Sequence, residues 1–302
     1  MKRRYVTVDV FTDQVFGGNP LAVVLDADGL STRQMQAIAV EFNYSETSFV
    51  LPPKDARHTA WVRIFTPSSE IPFAGHPNVG TAFVLSSLMA RRKGGAPEQF
   101  DFEEEAGLVP VSLIRENDAV IGAELLAPEP LSRRGYITPD SAAACLSLSA
   151  EDVRTDNNAP QVLSIGLPFL VVELASRNAL GRIVPSRAGY DKALPADGAR
   201  SVYAYTRAAA DEDADIYARA FSPRLSEDPA TGSATAAAAA LLAEIAKSAE
   251  SELRFRFVQG VEMGRPSLLV ARVRKTTADA VKVHVGGRCV KVMEGSFNLP
   301  EL

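Results

Sequence analysis

Runs of apolar residues in the first third of the chain predict short strands and two helices. Apolar positions alternate or follow one another in four segments, which predicts strands at 5–10, 21–25, 47–51 and 59–65. Ser31 with Gln34 three residues later is a capping-box pattern, and it predicts a helix that ends at about Glu41. A second helix is predicted from Pro77 to about Ala90, after a polar loop.

The second half of the chain repeats this order of elements. A helix candidate at 141–148 comes before the predicted strands 162–165, 170–174, 202–206 and 216–221. A long helix is predicted at 232–247, and strands follow it as far as residue 299. Two stretches also recur at nearly constant offset: 18–24 resembles 166–172, and 63–67 resembles 219–223. An internal duplication explains this order, with chance similarity of strand-turn sequences as the alternative.

The later helix is apolar on every face. Residues 234–243 contain nine Ala or Leu in ten positions, and a helix without a polar face is buried on all sides. The sequence therefore predicts an α+β fold with two pseudo-symmetric lobes, each a curved, mostly antiparallel sheet or barrel around a central buried helix. The expected lobes are 1–127, completed by a final strand at about 288–302, and 128–287.

Composition excludes several classes of function. The 302 residues are 46% hydrophobic with a net charge of −5, which argues against nucleic-acid binding. Asp9 and Asp13 interrupt any apolar signal segment, and no apolar stretch is long enough to predict a membrane span. Cys145 and Cys289 form no paired motif, so we expect free thiols and a cytoplasmic protein.

Two glycine-containing helix starts carry the first functional signal. The segments 75–82 (GHPNVGTA) and 228–234 (DPATGSA) each lead into one of the two apolar helices. A helix N-terminus presents unpaired backbone N–H groups and the positive end of a dipole. Because two such ends would meet in a cleft between related lobes, we expect an anionic substrate there, with a small carboxylate as the natural candidate.

Three ionisable residues lie at or near these segments. Glu46 stands between a helix end and a strand, His76 lies between Gly75 and Pro77, and Asp228 comes before a proline. Each has a structural alternative: a solvated loop carboxylate, a buried structural histidine and a helix N-cap, respectively. The sequence contains no dinucleotide or P-loop motif, and its histidines lack metal-ligand spacing, so we expect no cofactor and no metal.

Six stretches that span nearly the whole chain resemble one protein family. They are 8–25 (VDVFTDQVFGGNPLAVVL), 43–52 (NYSETSFVLP), 63–67 (RIFTP), 72–82 (PFAGHPNVGTA), 228–234 (DPATGSA) and 286–295 (GGRCVKVMEG). Together they resemble the phenazine biosynthesis PhzF-like isomerases, which share the diaminopimelate epimerase fold. The family member of known activity moves a proton on a cyclohexadiene carboxylate without a cofactor, and family members are typically homodimers.

The resemblance implies a set of site residues. The Glu of the SET motif, Glu46, corresponds to the catalytic acid/base, while His76 and Asp228 are expected to complete the catalytic group. The residues expected to bind substrate are Asn19, Ser45, Gly75, Asn78, Val79, Gly80, Thr231, Gly232 and Ser233.

The resemblance also separates this chain from the related epimerases. Those enzymes use one cysteine at each helix start as acid and base, whereas neither start here contains a cysteine. We therefore expect a cofactor-independent isomerase with Glu46 as the one principal proton carrier. A non-catalytic small-molecule binder on the same scaffold, or a racemase or lyase chemistry, are the alternatives.

Overall fold

Strands outnumber helices in the computed structural model, which describes residues 2–90, 95–246, 248, 251–275 and 281–299. The chain divides into a first unit of residues 1–125 with 286–302, and a second unit of residues 126–285. In the described ranges, no helix combines the length and the apolar character needed to cross a bilayer.

The first unit contains two helices and most of the strands of the N-terminal half. Its elements in chain order are β1 (Lys2–Val10), β2 (Asn19–Val24), α1 (Thr32–Phe42), β3 (Glu46–Leu51), β4 (Ala60–Phe65), β5 (Glu70–Ile71), α2 (Gly75–Met89), β6 (Gln99–Glu104), β7 (Gly107–Glu116) and β8 (Ala119–Leu126).

In its described residues, the second unit begins with a strand and contains four α-helices. Its elements are β9 (Ser132–Tyr136), α3 (Pro139–Leu146), β10 (Gln161–Ser164), β11 (Pro168–Glu173), α4 (Arg177–Gly181), α5 (Arg187–Ala193), β12 (Ser201–Arg207), β13 (Ile216–Phe221), β14 (Glu227–Asp228), α6 (Gly232–Ala246), β15 (Glu252–Gln259) and β16 (Ser267–Lys275). The last strand, β17 (Val281–Asn298), has residues in both units.

Strand pairing closes the first unit into a barrel. The order of hydrogen-bonded neighbours is β1, β2, β3, β4, β6, β7, β8 and β17, and β17 pairs again with β1. Helix α2 lies against β1, β2, β3 and β7, so its apolar surface is covered on several sides. A Cβ at Gly80 would stand only 2.6 Å from Leu21 Cδ2, which explains why this position of the helix is a glycine.

The second unit repeats these connections around α6. Its strands pair in the order β10, β11, β12, β13, β15 and β16, and β9 pairs with β10. As in the first unit, the second and third of these strands are parallel, and so are the fourth and fifth. Residues 234–243 of α6 are all buried. The predicted mixed α+β fold with a strand-rich barrel is confirmed, whereas the pseudo-symmetry of two lobes stays a prediction.

Two ion pairs stand at equivalent places in the units. Arg63 of β4 makes two hydrogen bonds of 2.6 Å to Glu70 of β5. Arg219 of β13 makes the same two-bond contact with Glu227 of β14, at 2.8 and 2.7 Å. Each pair fastens a two-residue strand in the segment that was predicted to be a plain loop, directly before α2 or α6.

Several predicted boundaries need correction. Helix α2 begins at Gly75 and not at Pro77, because a proline in the first turn needs no N–H partner and the helix can start before it. Helix α3 begins at Pro139, two residues before the predicted start, with Thr138 as its side-chain cap. Lys247, the predicted last residue of α6, lies outside the described residues. The capping box of Ser31 and Gln34 is confirmed.

Two helices of the second unit were not predicted at all. Both α4 and α5 are short, and each begins after a serine that accepts a hydrogen bond from a backbone N–H inside the helix. Gly189 of α5 packs so closely on α3 that a Cβ there would lie 2.1 Å from the Ala144 carbonyl oxygen. Gly181 of α4 has open space around the same position.

This contrast gives a test of the packing. We expect Gly189→Ala to lower the free energy of unfolding by about 1–3 kcal/mol, because the backbone of α3 cannot move away cheaply. Gly181→Ala is the matched control, and it should leave stability unchanged or raise it by up to about 1 kcal/mol. Urea unfolding followed by circular dichroism measures both, and equal effects of the two substitutions would contradict the described α3–α5 contact.

Candidate active site

Glu46 is the first residue of β3 and follows a tight turn at the end of α1. The helix ends at Asn43, whose left-handed backbone (φ 53°) redirects the chain. Glu46 then pairs with Leu21 in the parallel β2–β3 ladder. Its side chain is 19% exposed, whereas the neighbouring Ser45 is exposed. Glu46 therefore stands at the end of the barrel, largely withdrawn from water.

His76 lies in the first turn of α2, beside Glu46. Its Nε2 atom is 3.4 Å from Glu46 Oε2, a close approach that does not have hydrogen-bond geometry. Burial lowers the pKa of His76 to about 3, because the charged imidazolium would lose its hydration. At neutral pH the contact is thus between a carboxyl group and a neutral imidazole, and it is not an ion pair.

The same end of the barrel contains an unusual concentration of buried polar atoms. Side-chain oxygens without a hydrogen-bond partner in the described part of the chain belong to Thr47, Ser48, Asn78, Thr81 and Glu104. Native proteins pair most buried polar atoms, so a cluster of unpaired ones calls for an explanation. All of these residues lie on β3, on the first two turns of α2 or at the end of β6, which marks this end of the first unit as a candidate binding surface.

The N-terminus of α2 adds backbone donors to this surface. Its N-cap residue is Ala74, whose side chain cannot accept a hydrogen bond, and the first turn contains no acidic residue. The N–H groups of Ala74, Gly75 and His76 therefore have no partner from the helix itself. Val79 and Gly80 lie one turn further along, where N–H groups bond within the helix.

The structure places Asn19, also a predicted binding residue, at the start of β2. It is fully buried, and it pairs in the β1–β2 ladder with Val10. Asn78 is fully buried as well, and its Nδ2 donates a 3.0 Å hydrogen bond to the carbonyl oxygen of Ala74.

In the second unit, Asp228 ends β14 and is followed by a short loop that hydrogen bonds hold in place. Thr231 Oγ1 donates a 2.6 Å hydrogen bond to Asp228 Oδ2. Gln259, a buried residue that ends β15, donates from Nε2 to the carbonyl oxygen of Asp228 and accepts from the N–H of Thr231. Gly232 and Ser233 begin α6 and are partly exposed. The Asp228 carboxyl group therefore has a structural partner in the Thr231 hydroxyl.

Sequence reasoning missed Gln259 and Glu104. Each is a polar residue that faces inward at the end of its strand. The two preceding inward-facing positions of each strand are phenylalanines. Strand alternation was the available signal, because it places Phe100, Phe102 and Glu104 on one face.

The two cysteines do not take part in this surface. Cys145 and Cys289 are free and buried, and burial raises their pKa values to about 11 and about 12. At neutral pH they are inert thiols and not thiolates. Among the described residues, no group of three or more His, Cys, Asp and Glu side chains is arranged to hold a metal ion.

The low pKa of His76 predicts a specific dependence of stability on pH. The unfolded chain binds a proton on this histidine below about pH 6.5, while the folded chain does so only near pH 3. The stability of the wild type relative to His76→Gln should therefore stay level above pH 6.5. Below that pH it should fall by up to about 1.4 kcal/mol per pH unit.

Urea unfolding of both proteins between pH 8 and 4.5 measures this difference, because the other titrating groups are common to both and cancel. A difference that stays constant from pH 6.5 down to 4.5 would show that His76 is not buried in its neutral form.

Comparison with known proteins gives this geometry a family context. Residues 8–295 match the family described as phenazine biosynthesis-like protein. An uncharacterized isomerase of Mesorhizobium japonicum is 37% identical to this chain, over 98% of each. The trans-2,3-dihydro-3-hydroxyanthranilate isomerase of Pseudomonas chlororaphis is 33% identical over 98% of this chain and 99% of that one.

A solved structure supports the fold. The PhzF-family phenazine biosynthesis protein of Bacillus anthracis superposes with a TM-score of 0.87 over 99% of this chain and 100% of that chain, at 24% identity. The resemblance proposed from the sequence motifs is confirmed, and the names of the relatives support an isomerase activity. The chain belongs to the phenazine biosynthesis-like protein family and is a PhzF-like isomerase.

Proposed function

We propose that this protein isomerises a small carboxylate-bearing substrate by moving one proton with Glu46. The observation that carries the proposal is the position of Glu46, partly buried at the start of β3 and 3.4 Å from the neutral His76. Glu46 takes a proton from one carbon of the substrate and returns it to another, so the reaction consumes no cofactor. The product therefore has the same atoms and electrons as the substrate, and the enzyme returns to its starting state.

The neutral state of His76 supports this role for its neighbour. A protonated imidazole would hold Glu46 as a carboxylate and oppose the step in which it carries the proton. A neutral ring leaves Glu46 free to exist in either protonation state during the reaction, as a general acid and base must. His76 also limits the positions that the carboxyl group can take, because the ring itself is fixed in the first turn of α2.

The N-terminus of α2 is proposed to bind the negative charge of the substrate. The N–H groups of Gly75 and His76 and the positive helix end favour a carboxylate, and they also stabilise charge that develops when a proton leaves carbon. Asn19 and Asn78 supply further polar contacts at the same end. For Asp228, Thr231 and Ser233 we keep the predicted role of substrate contact, and the cleft between the lobes stays a prediction from sequence.

Two alternatives to this function would give different experimental results. A non-catalytic binder would capture a carboxylate without exchanging any of its C–H protons with solvent. A racemase or lyase would give a different product. The buried thiols argue against a two-cysteine racemase, because neither Cys145 nor Cys289 ionises near neutral pH.

The remaining expectations concern the setting of the enzyme. Free thiols support a reducing, cytoplasmic compartment, and the family resemblance supports a homodimer that works without cofactor, nucleic acid or membrane. Size-exclusion chromatography with light scattering tests the dimer.

Replacing Glu46 tests the central step. Glu46→Gln keeps the size of the side chain but cannot carry a proton, so we expect turnover to fall by at least about 10²–10⁴-fold. The assay follows incorporation of solvent deuterium into trans-2,3-dihydro-3-hydroxyanthranilate and into a panel of small cyclic and amino-acid carboxylates. Glu41→Gln is the matched control, because Glu41 is an exposed carboxylate in the last turn of α1.

A turnover rate in the Glu46→Gln protein close to that of the wild type would exclude Glu46 as the proton carrier. Binding of a carboxylate by the wild type without deuterium exchange in any member of the panel would favour the non-catalytic alternative.

A further inference from the structure

Glu104 occupies a core position at the end of β6. Inward-facing residues of this strand are Phe100, Phe102 and Glu104, all of which are buried. The adjacent Glu103 faces the other way, and it accepts hydrogen bonds of 2.8 Å from the backbone N–H groups of Lys54 and Asp55. One of two neighbouring glutamates therefore supports a loop, while the other points toward α2.

The surroundings of Glu104 bring it to the first turns of α2. The turn after β6 is fixed on the segment before the helix, because the N–H of Ala106 donates a 3.2 Å hydrogen bond to the Pro72 carbonyl oxygen. Glu104 adjoins the side chain of Asn78. Its side chain is more than nine-tenths buried, with 8% exposure, and neither carboxyl oxygen makes a hydrogen bond of ordinary geometry to another described residue.

The second unit shows what a structural residue does at the equivalent position. Ala60 of β4 pairs with Phe102, and Ile216 of β13 pairs with Phe257. Glu104 lies two residues after Phe102 on β6, and Gln259 lies two residues after Phe257 on β15. The two residues therefore stand at corresponding places in their strands.

Gln259 uses both ends of its amide group for structure. It accepts from the N–H of Thr231, and it donates to the carbonyl oxygen of Asp228 and to Thr231 Oγ1. In the first unit the residue before the helix is Ala74, which has no side-chain hydroxyl to bond. Glu104 therefore has the place of Gln259 without its structural partners.

A buried carboxyl group in this position favours its neutral form. Burial raises the pKa of Glu104 to about 8, and the side chain of Asn78 offsets only part of that rise. The titratable groups on the surrounding elements are Glu46 on β3, Arg63 on β4, Glu70 on β5, His76 on α2, Asp101 and Glu103 on β6, Glu105 directly after β6, and Arg115 and Glu116 on β7. Arg63 is hydrogen-bonded to Glu70, and Glu103 is hydrogen-bonded to His58. His76 is neutral.

We propose that Glu104 is a substrate-binding residue that donates a hydrogen bond from its carboxylic acid O–H to an anionic oxygen bound at the N-terminus of α2. This inference rests on the proposed function, since it assigns the carboxylate of the substrate to that helix end. The helix dipole and the acid O–H then both act on the same negative charge. Loss of the proton turns Glu104 into a carboxylate that repels the substrate, so binding weakens in alkaline solution.

Binding of 3-hydroxyanthranilate, an aromatic analogue of the substrate named for the Pseudomonas chlororaphis relative, provides the test. Isothermal titration calorimetry between pH 6 and 9.5 should give a wild-type Kd that is level below pH 8. Above that pH, the Kd should rise by about tenfold per pH unit, because only the protonated form of Glu104 accepts the anion.

Two substitutions of Glu104 separate hydrogen bonding from simple space filling. Glu104→Gln copies the residue found at position 259 and keeps a donor, so its Kd should match the wild-type value at pH 7 within a few-fold and stay level to pH 9.5. Glu104→Leu fills the space without a donor, and its Kd at pH 7 should rise by about 10-fold to 100-fold. Glu105→Gln removes an exposed carboxylate at the next position of the chain, and it should retain the wild-type profile.

Proton uptake distinguishes this role from a purely structural one. At pH 9 the wild type should take up nearly one proton for each ligand bound, as measured by calorimetry in buffers of different ionisation enthalpy, whereas Glu104→Gln should take up none.

These measurements distinguish a failure of the proposed function from a failure of the role proposed for Glu104. Turnover retained in Glu46→Gln would overturn the proposed function and leave the Glu104 result intact. An unchanged Kd in Glu104→Leu, equal proton uptake in wild type and Glu104→Gln, or no binding of 3-hydroxyanthranilate by the wild type would each overturn the role of Glu104.

Discussion

The burial of two helices whose middle turns carry no charge is the constraint on which the rest of the structure depends. A helix that strands cover on several sides cannot carry charged side chains in its middle turns, and it needs small residues where backbones approach, as Gly80 of α2 shows. Ten consecutive buried residues of α6 meet the same requirement with alanine and leucine. Polar chemistry is therefore confined to the ends of these helices, where the first-turn N–H groups have no helical partner.

Each unit fixes the segment before its helix in the same way. A two-bond arginine–glutamate contact fastens a two-residue strand, Arg63 with Glu70 in one unit and Arg219 with Glu227 in the other. The backbone arrangement that leads into the helix N-terminus is thus the same in both units, while the side chains around that N-terminus differ. Gln259 ties down the loop of the second unit, whereas the Glu104 carboxyl group of the first unit adjoins the side chain of Asn78 and makes no hydrogen bond of ordinary geometry to another described residue.

The sequence predicted the fold class, most strands and the family, because these depend on apolar periodicity and on motifs spread over the whole chain. The capping box of Ser31 was predicted to the residue, since both of its partners are local. The start of α2 was missed by two residues, because Gly75 and His76 are poor helix starters and only tertiary packing extends the helix through them. Short helices α4 and α5 were missed for a related reason: they form against α3 and other neighbours and have little periodicity of their own.

Glu104 illustrates why the site itself was harder to predict than the fold. In the run Glu103, Glu104 and Glu105 the three residues are chemically identical, and only the phase of the strand decides which one is buried. Once that phase is known, a physical argument follows. Gln259 is committed to three hydrogen bonds, so a change there would cost the second unit part of its loop structure. With Ala74 in place of Thr231, position 104 has no such commitment. A buried position that does no structural work can carry an ionisable group without loss of the fold, and a carboxylic acid beside an uncapped helix end is a group that an anionic ligand can use.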